Sequence, residues 1–299
     1  MSNEISTGTE KPYGLQRVCR VLEFSRSTIY AARARAASSV VPIVSLKRGP
    51  KPKVPDADLL QAIRADLAAS PFTGEGHRKV WARLRILRDI RASRTRVLRL
   101  MREHGLLSPH RRPQGKPDLH DGRITTDHPN EMWGTDGTRI ETVDEGMVWI
   151  FSAVDHCDAL CTGIHVVKIG DRFAALEPIS QGLRSEFGAT GAKAGRGLML
   201  RMDHGSQYTS DDFRNQLKFW GVTASFAFVA EPQTNGVAER FNRTLKEQAI
   251  HGHIFKNVEE VRAAAIAFKD RYNRHWRLEK LGFMSPLEAR QARLLKQAA

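Results

Sequence analysis

Apolar residues along the chain follow two periods. In the first third they recur at helical spacing in short runs bounded by turn or cap residues. Leu15, Val18, Cys19 and Leu22 form one stripe, and Ser25 is placed to cap a second helix carrying Arg26, Thr28, Tyr30 and Arg33. Leu59, Ile63 and Leu67 mark a third helix and residues 77–86 a fourth, while Ser93 caps a fifth in which Val97, Leu98 and Met101 face inward. Beyond residue 129 the pattern changes. Strand-like runs cover 131–140, 146–155 and 160–168, helical spacing covers 172–187, and short strands at 197–202 and 223–228 flank a helix at 210–219. A turn cluster, Pro232-Gln233-Thr234-Asn235-Gly236, then opens an amphipathic helix with Ala238, Phe241, Leu245 and Ala249 on its apolar side, and 259–272 add a further helix. This order predicts a multidomain chain, with all-α N-terminal modules followed by an α/β core built on a mixed five-stranded sheet.

The polar positions carry the chemistry. The apolar run Leu198–Met202 delivers Asp203 to the start of a loop, His204-Gly205-Ser206. Glu239, Asn242, Arg243 and Lys246 share the polar side of the last amphipathic helix, because steps of three, four and seven residues nearly complete whole turns. Between Asp203 and Glu239 lie 35 residues, enough for a helix, a strand and a turn to bring the two carboxylates together. Converging carboxylates repel unless a cation lies between them. Hard divalent ions such as Mg²⁺ take oxygen ligands and keep open positions for water and phosphate. Two of them about 3.5–4 Å apart serve an in-line phosphoryl displacement. Such a site asks for a third carboxylate on a neighbouring strand, and Asp136 stands in the middle of the strand-like run 131–140.

Charge sharpens the division. The net charge is +14, and residues 1–112 hold all of it, with 23 Lys and Arg against 9 Asp and Glu, while residues 113–299 hold 24 of each. A basic N-terminal part suits a phosphate backbone, with a merely soluble basic surface as the bland alternative. Three cysteines at no framework spacing predict a reduced, cytoplasmic setting. No apolar run reaches the length of a membrane span, and residues 1–11 show no export signal. His156, Cys157, Cys161 and His165 invite a zinc reading, but alternation on adjacent strands sends them to different faces, so zinc is not expected.

Asp136, Asp203 and Glu239, with their spacing and the phrases WGTDGT (133–138), DHGSQYTS (203–210), PQTNGVAERFNRTLK (232–246) and YNRHWRLEKLGFMSPLEA (272–289), resemble the DDE transposases and retroviral integrases. The match is narrower with the second-frame (OrfB) transposases of bacterial insertion sequences. It runs from about Gly14 to Ala289 and includes Gly76-His77-Arg78 and Gly105-Leu106 of a helical DNA-binding module. The resemblance implies an RNase H-like catalytic core that cleaves DNA and transfers strands by metal-dependent transesterification. By it, Asp136 and Asp203 hold one Mg²⁺ and Asp136 and Glu239 a second, with Mn²⁺ as an alternative ion. Lys246 and Arg243 are expected to face DNA, as are Arg94, Arg96 and Arg99 of the second module and Arg26 and Arg33 of the first. An ordinary helical hairpin fits the spacing of residues 13–36 equally well, and the resemblance decides for helix-turn-helix.

The domains expected are a helix-turn-helix segment over 1–48, a basic linker over 49–55, a second helical DNA-binding domain over 56–112, a linker over 113–128, the core with a helical extension over 129–292, and a tail over 293–299. The implied partners are double-stranded DNA (terminal repeats and target), further copies of the chain on that DNA, and the first-frame (OrfA) product or its frameshifted fusion. The setting is the bacterial cytoplasm, at the nucleoid. The His-His-Cys-Cys module of retroviral integrases is missing, since only Cys19 precedes Cys157. In one departure, the family's usual Ser-Arg is Asp158-Ala159 here, and an altered turn near DNA is the expectation. Other readings are a transposase-derived DNA-binding regulator without strand transfer, a structure-selective RNase H-like nuclease and a bare nucleic-acid-binding scaffold.

Overall fold

The computed structural model describes residues 3–37, 53–108, 126–226 and 235–298. The chain divides into two compact units at residues 52/53. In the first, helices α1 (Leu15–Val21) and α2 (Arg26–Ala37) bury Cys19, and α2 buries no residue at all.

The second unit opens with three helices, α3 (Asp56–Ala69), α4 (His77–Arg88) and α5 (Arg94–Glu103). Asp56 and Asp58 in the first turn of α3 favour its positive end. Ser93 caps α5, its side chain accepting from the Arg96 N–H. The three helices close around Leu59, Ile63, Val80, Leu84, Val97, Leu100 and Met101. Leu100 fills the position expected of Leu98, which is half-buried, because packing between α3 and α4 selects the Val97–Leu100–Met101 edge of the stripe.

Five strands follow, β1 (Met132–Thr142), β2 (Gly146–Asp155), β3 (Cys161–Val167), β4 (Met199–Met202) and β5 (Thr223–Phe226), in the sheet order β3-β2-β1-β4-β5. The first three pair antiparallel, and β4 and β5 join in parallel. Parallel neighbours need crossovers. One runs through α6 (Arg172–Phe187), the next through α7 (Ser206–Thr209) and α8 (Asp211–Trp220). These helices cover one face of the sheet over Trp133, Phe151, Leu183, Leu200, Phe213 and Leu217. Gly163 lets α6 lie close, since a Cβ there would meet the Pro178 carbonyl oxygen at 1.9 Å.

The other face carries α9 (Gly236–Leu245), a wide π-type turn (Lys246–Ile250) and α10 (Val258–His275), over Val148, Ile150, Phe241, Leu245 and Phe268. The tail expected over 293–299 is instead continuous helix, α11 (Pro286–Ala298), because Ala, Arg, Leu and Lys at 289–296 are strong helix formers with no breaker among them. Nor is the second helical module free of the core. Phe72, between α3 and α4, belongs to the same apolar cluster as Phe241, Phe268 and Tyr272. The linkers expected at 49–55 and 113–128 lie largely outside the described residues. Among the described residues no helix is long and apolar enough to cross a membrane.

Candidate active site

Sheet register brings the first two carboxylates level. Gly134 of β1 pairs with Arg201 of β4, so two residues further along the parallel strands Asp136 and Asp203 stand side by side at the sheet's centre. The turn after β4 then orients Asp203, whose Oδ1 accepts the Gly205 N–H at 2.9 Å. Glu239 lies in the first turn of α9. Two asparagines on either side of it, four residues before and three after, fasten that helix face to β1. Asn235 Nδ2 donates to the Thr135 carbonyl at 2.9 Å, and Asn242 Nδ2 donates to Asp136 Oδ2 at 2.9 Å. Asn242 is itself held, accepting the Ser152 hydroxyl at 3.0 Å.

The three carboxylates feel one another. Burial raises the pKa of Asp136, and the Asp203 charge raises it further, against the Asn242 hydrogen bond, the Gly137 N–H and the Lys246 ammonium. Partial desolvation at the foot of its exposed side chain likewise raises Glu239, with Asp136 and Asp203 adding to it and the nearby Arg243 opposing. Like charges gathered at a strand pair and a helix face favour a bound cation over solvent alone. The donor set is all oxygen, as Mg²⁺ and Mn²⁺ prefer. Glu239 accepts no hydrogen bond from any described residue, so its oxygens are available to an ion. Among the described residues no three His, Cys, Asp or Glu side chains form one closed ligand set. A two-ion arrangement with Asp136 shared asks only for pairs. The donor chemistry suits a divalent ion.

Asn235 and Ser152 were not singled out by sequence reasoning, and Asn242 was placed only on the polar side of the helix. The available signal was two asparagines, poor helix formers, flanking Glu239 on the same face. Replacing Asn242 by Ala removes a donor from Asp136 and leaves the buried Ser152 hydroxyl without its acceptor. We expect DNA cleavage to fall about 10- to 100-fold, as when groups behind a metal ligand are lost. Single-turnover cleavage at saturating protein measures this, and a rate within twofold of the parent chain would contradict it.

The predicted DNA-facing residues divide. Lys246 is half-buried at the start of the wide turn, and Arg243, Arg26 and Arg33 are exposed. Arg96, however, turns inward onto Asp56 and the Val54 carbonyl, the latter at 2.6 Å. Arg99 bonds Asp56 and Glu103, and Arg94 faces Glu279 at 3.7 Å. A helical stripe marks these arginines as outward but does not show the acids that answer them. The potential zinc ligands have other contacts, with Cys157 Sγ against Arg293 at 2.6 Å and Cys161 Sγ donating to the Gly163 carbonyl at 3.3 Å. The Asp158-Ala159 departure points inward at its first residue, since Asp158 is fully buried and bonded to Arg290 of α11 at 2.6 Å.

Comparison with known proteins finds matches to both parts of the second unit. Residues 126–232 match one family described as Integrase core domain, 220–286 a second with the same description, and 55–114 an HTH-like domain. The transposase of insertion element IS629 from Shigella sonnei is 29% identical over 73% of this chain and 74% of its own length. Transposase InsD of the Escherichia coli IS2 elements is 28% identical over 78% of each chain. The catalytic core domain of BIV integrase is 21% identical over 57% of this chain and 99% of that one, with a TM-score of 0.40. These matches define a polynucleotidyl transferase with an integrase core. The chain belongs to the DDE/integrase family of bacterial insertion-sequence transposases, which act in DNA transposition and integration.

Proposed function

We propose that this transposase cleaves DNA at the ends of its insertion sequence and joins the freed 3′-hydroxyl to target DNA, with Asp136, Asp203 and Glu239 as its catalytic carboxylates. The observation that carries the reading is the gathering of the three carboxylates, with Asp136 within reach of the Asp203 charge, Glu239 within reach of both, and α9 fastened to β1 by Asn235 and Asn242. Asp136 and Asp203 would hold one Mg²⁺ or Mn²⁺, and Asp136 and Glu239 a second. Bound there, the ions supply activation of the attacking oxygen and stabilisation of the leaving one. Asn242 fixes the Asp136 carboxylate in one orientation, and Asn235 keeps the Glu239 turn against β1. Lys246 and Arg243, on the same helical side, contact phosphates of the bound DNA. The exposed Arg26 and Arg33 suit the first helical unit to backbone contact.

Two element ends must be brought together, so the working form is an oligomer on DNA, in the cytoplasm and with the first-frame product or its fusion as a further partner. The test is a labelled duplex carrying the terminal repeat, incubated with the full chain with and without Mg²⁺, alone and with the first-frame fusion. Metal-dependent nicking at the repeat's end is expected. Tight binding without nicking in every combination would favour the DNA-binding regulator.

A further inference from the structure

The catalytic helix does not end simply. After Leu245 the backbone widens by one residue into the turn Lys246–Ile250, which closes with the His251 N–H on the Lys246 carbonyl at 2.8 Å. Such wide turns have poorer hydrogen-bond geometry than an α-helix and persist where other contacts hold them. Here part of the hold comes from the second helical module. The Gln248 side-chain amide grips the main chain of Thr73 at both ends. Its Oε1 accepts the Thr73 N–H at 3.0 Å, and its Nε2 donates to the Thr73 carbonyl at 2.9 Å.

The neighbours of Thr73 secure the same place. Phe72 is buried edge-on against Trp276 at 4.8 Å, Trp276 stacks on Tyr272, and Tyr272 meets Phe241, two residues past Glu239, at 4.9 Å. Trp81 of α4 packs on Phe283 at 5.8 Å, and Arg78 pairs with Glu279 at 2.7 Å. A segment between two helices of the DNA-binding module is thus built into the core beneath the catalytic helix.

We propose that Gln248 is a positioning residue of the cleavage reaction: by clamping Thr73 it lets the helical module hold the wide turn, and with it the Lys246 ammonium, in place beside the catalytic carboxylates. The Lys246 charge does reach Asp136, which supports that placement. The inference rests on the catalytic reading of Asp136, Asp203 and Glu239, but one arm of its test does not.

The test uses the full chain and the variants Gln248→Ala, Gln248→Glu, Lys246→Gln and the double variant Gln248→Ala/Lys246→Gln. Hydrogen exchange, without DNA or metal, reads the turn directly. The His251 amide is expected to exchange about tenfold faster in Gln248→Ala, and less than that in Gln248→Glu, which keeps the acceptor for the Thr73 N–H but loses the donor to its carbonyl. Unchanged protection of His251 in Gln248→Ala would overturn the clamp whatever the enzyme does.

Single-turnover cleavage then reads the position. Gln248→Ala is expected to lose about tenfold in the chemical rate at saturating DNA, with end binding within twofold of the parent. The double variant is expected to be no slower than Lys246→Gln alone, because both changes remove one effect. Fully additive losses, or a rise in rate on releasing the clamp, would overturn the positioning role. A parent chain without cleavage activity would count against the catalytic reading, and the exchange result would still decide the clamp.

Discussion

Glu239→Gln is expected to bind the insertion-sequence end as the parent chain does and to lose cleavage about a thousandfold or more, roughly 4 kcal/mol of transition-state stabilisation. The substitution keeps the size of the side chain and the shape of α9 while removing one negative charge. Glu239 is exposed in the first turn of its helix and makes no hydrogen bond to a described residue, so the fold does not depend on it. Removing its charge also relieves repulsion with Asp136 and Asp203. Thermal stability should therefore hold or rise slightly as activity disappears. Gel-shift, melting and single-turnover cleavage on one preparation separate these quantities. A variant that cleaves within tenfold of the parent would remove Glu239 from the chemistry.

Arg290→Met is expected to destabilise the second unit by about 3–5 kcal/mol, a drop in Tm on the order of 10 °C. Arg290, on α11, is 4% exposed and reaches Asp155 at 2.9 Å and Asp158 at 2.6 Å, with Glu186 beside them. Asp155 also takes the Asn130 and Cys157 N–H groups at 2.7 Å, and Asp158 the Leu160 N–H at 3.0 Å. Without the guanidinium, Asp155 and Asp158 lose the cation that pairs with them directly and keep their desolvation cost.

The loss should depend on pH. Burial and the Asp158 charge push Asp155 up to about 6 even against the pull of Arg290. A carboxyl raised in the folded state contributes stability that is present while it keeps its proton and is lost as pH rises through the folded value. The deficit of Arg290→Met should therefore shrink between about pH 8 and pH 5, where the orphaned acids can be buried neutral. Denaturant unfolding at the two pH values measures it, and an equal deficit at both would assign the effect to packing alone.

These two sites differ in how far the chain announces them. The proposed triad stands out because each carboxylate sits on a local signal: Asp136 within an alternating run, Asp203 at the end of an apolar one, Glu239 just after a turn cluster. Strand β2 and helix α6 fall on the residues their periodicity predicts, and Ser93 caps α5 as its position suggests. The contacts that set the geometry are long-range. Arg290 and Asp155 are 135 residues apart, and Gln248 and Thr73 175 apart, so no local period links them. For the same reason Arg96 and Arg99 read as outward-facing cations, since Asp56, 40 and 43 residues away, is brought to them only by the packing of α3 on α5. The wide turn after Leu245 was hidden as well, because Leu245 and Ala249 keep α-helical spacing while the backbone beneath them does not.

The most direct measurement replaces the shared carboxylate by a thiolate. With Asp136→Cys, terminal-repeat cleavage is compared in Mg²⁺ and Mn²⁺, since a soft sulfur ligand is a poor partner for hard Mg²⁺ and a better one for Mn²⁺. If Asp136 binds the catalytic metal, the variant loses cleavage in Mg²⁺ and regains it in Mn²⁺ by tenfold or more, while the parent chain works with both. Equal cleavage by the variant in the two metals, or none in either, would contradict the account.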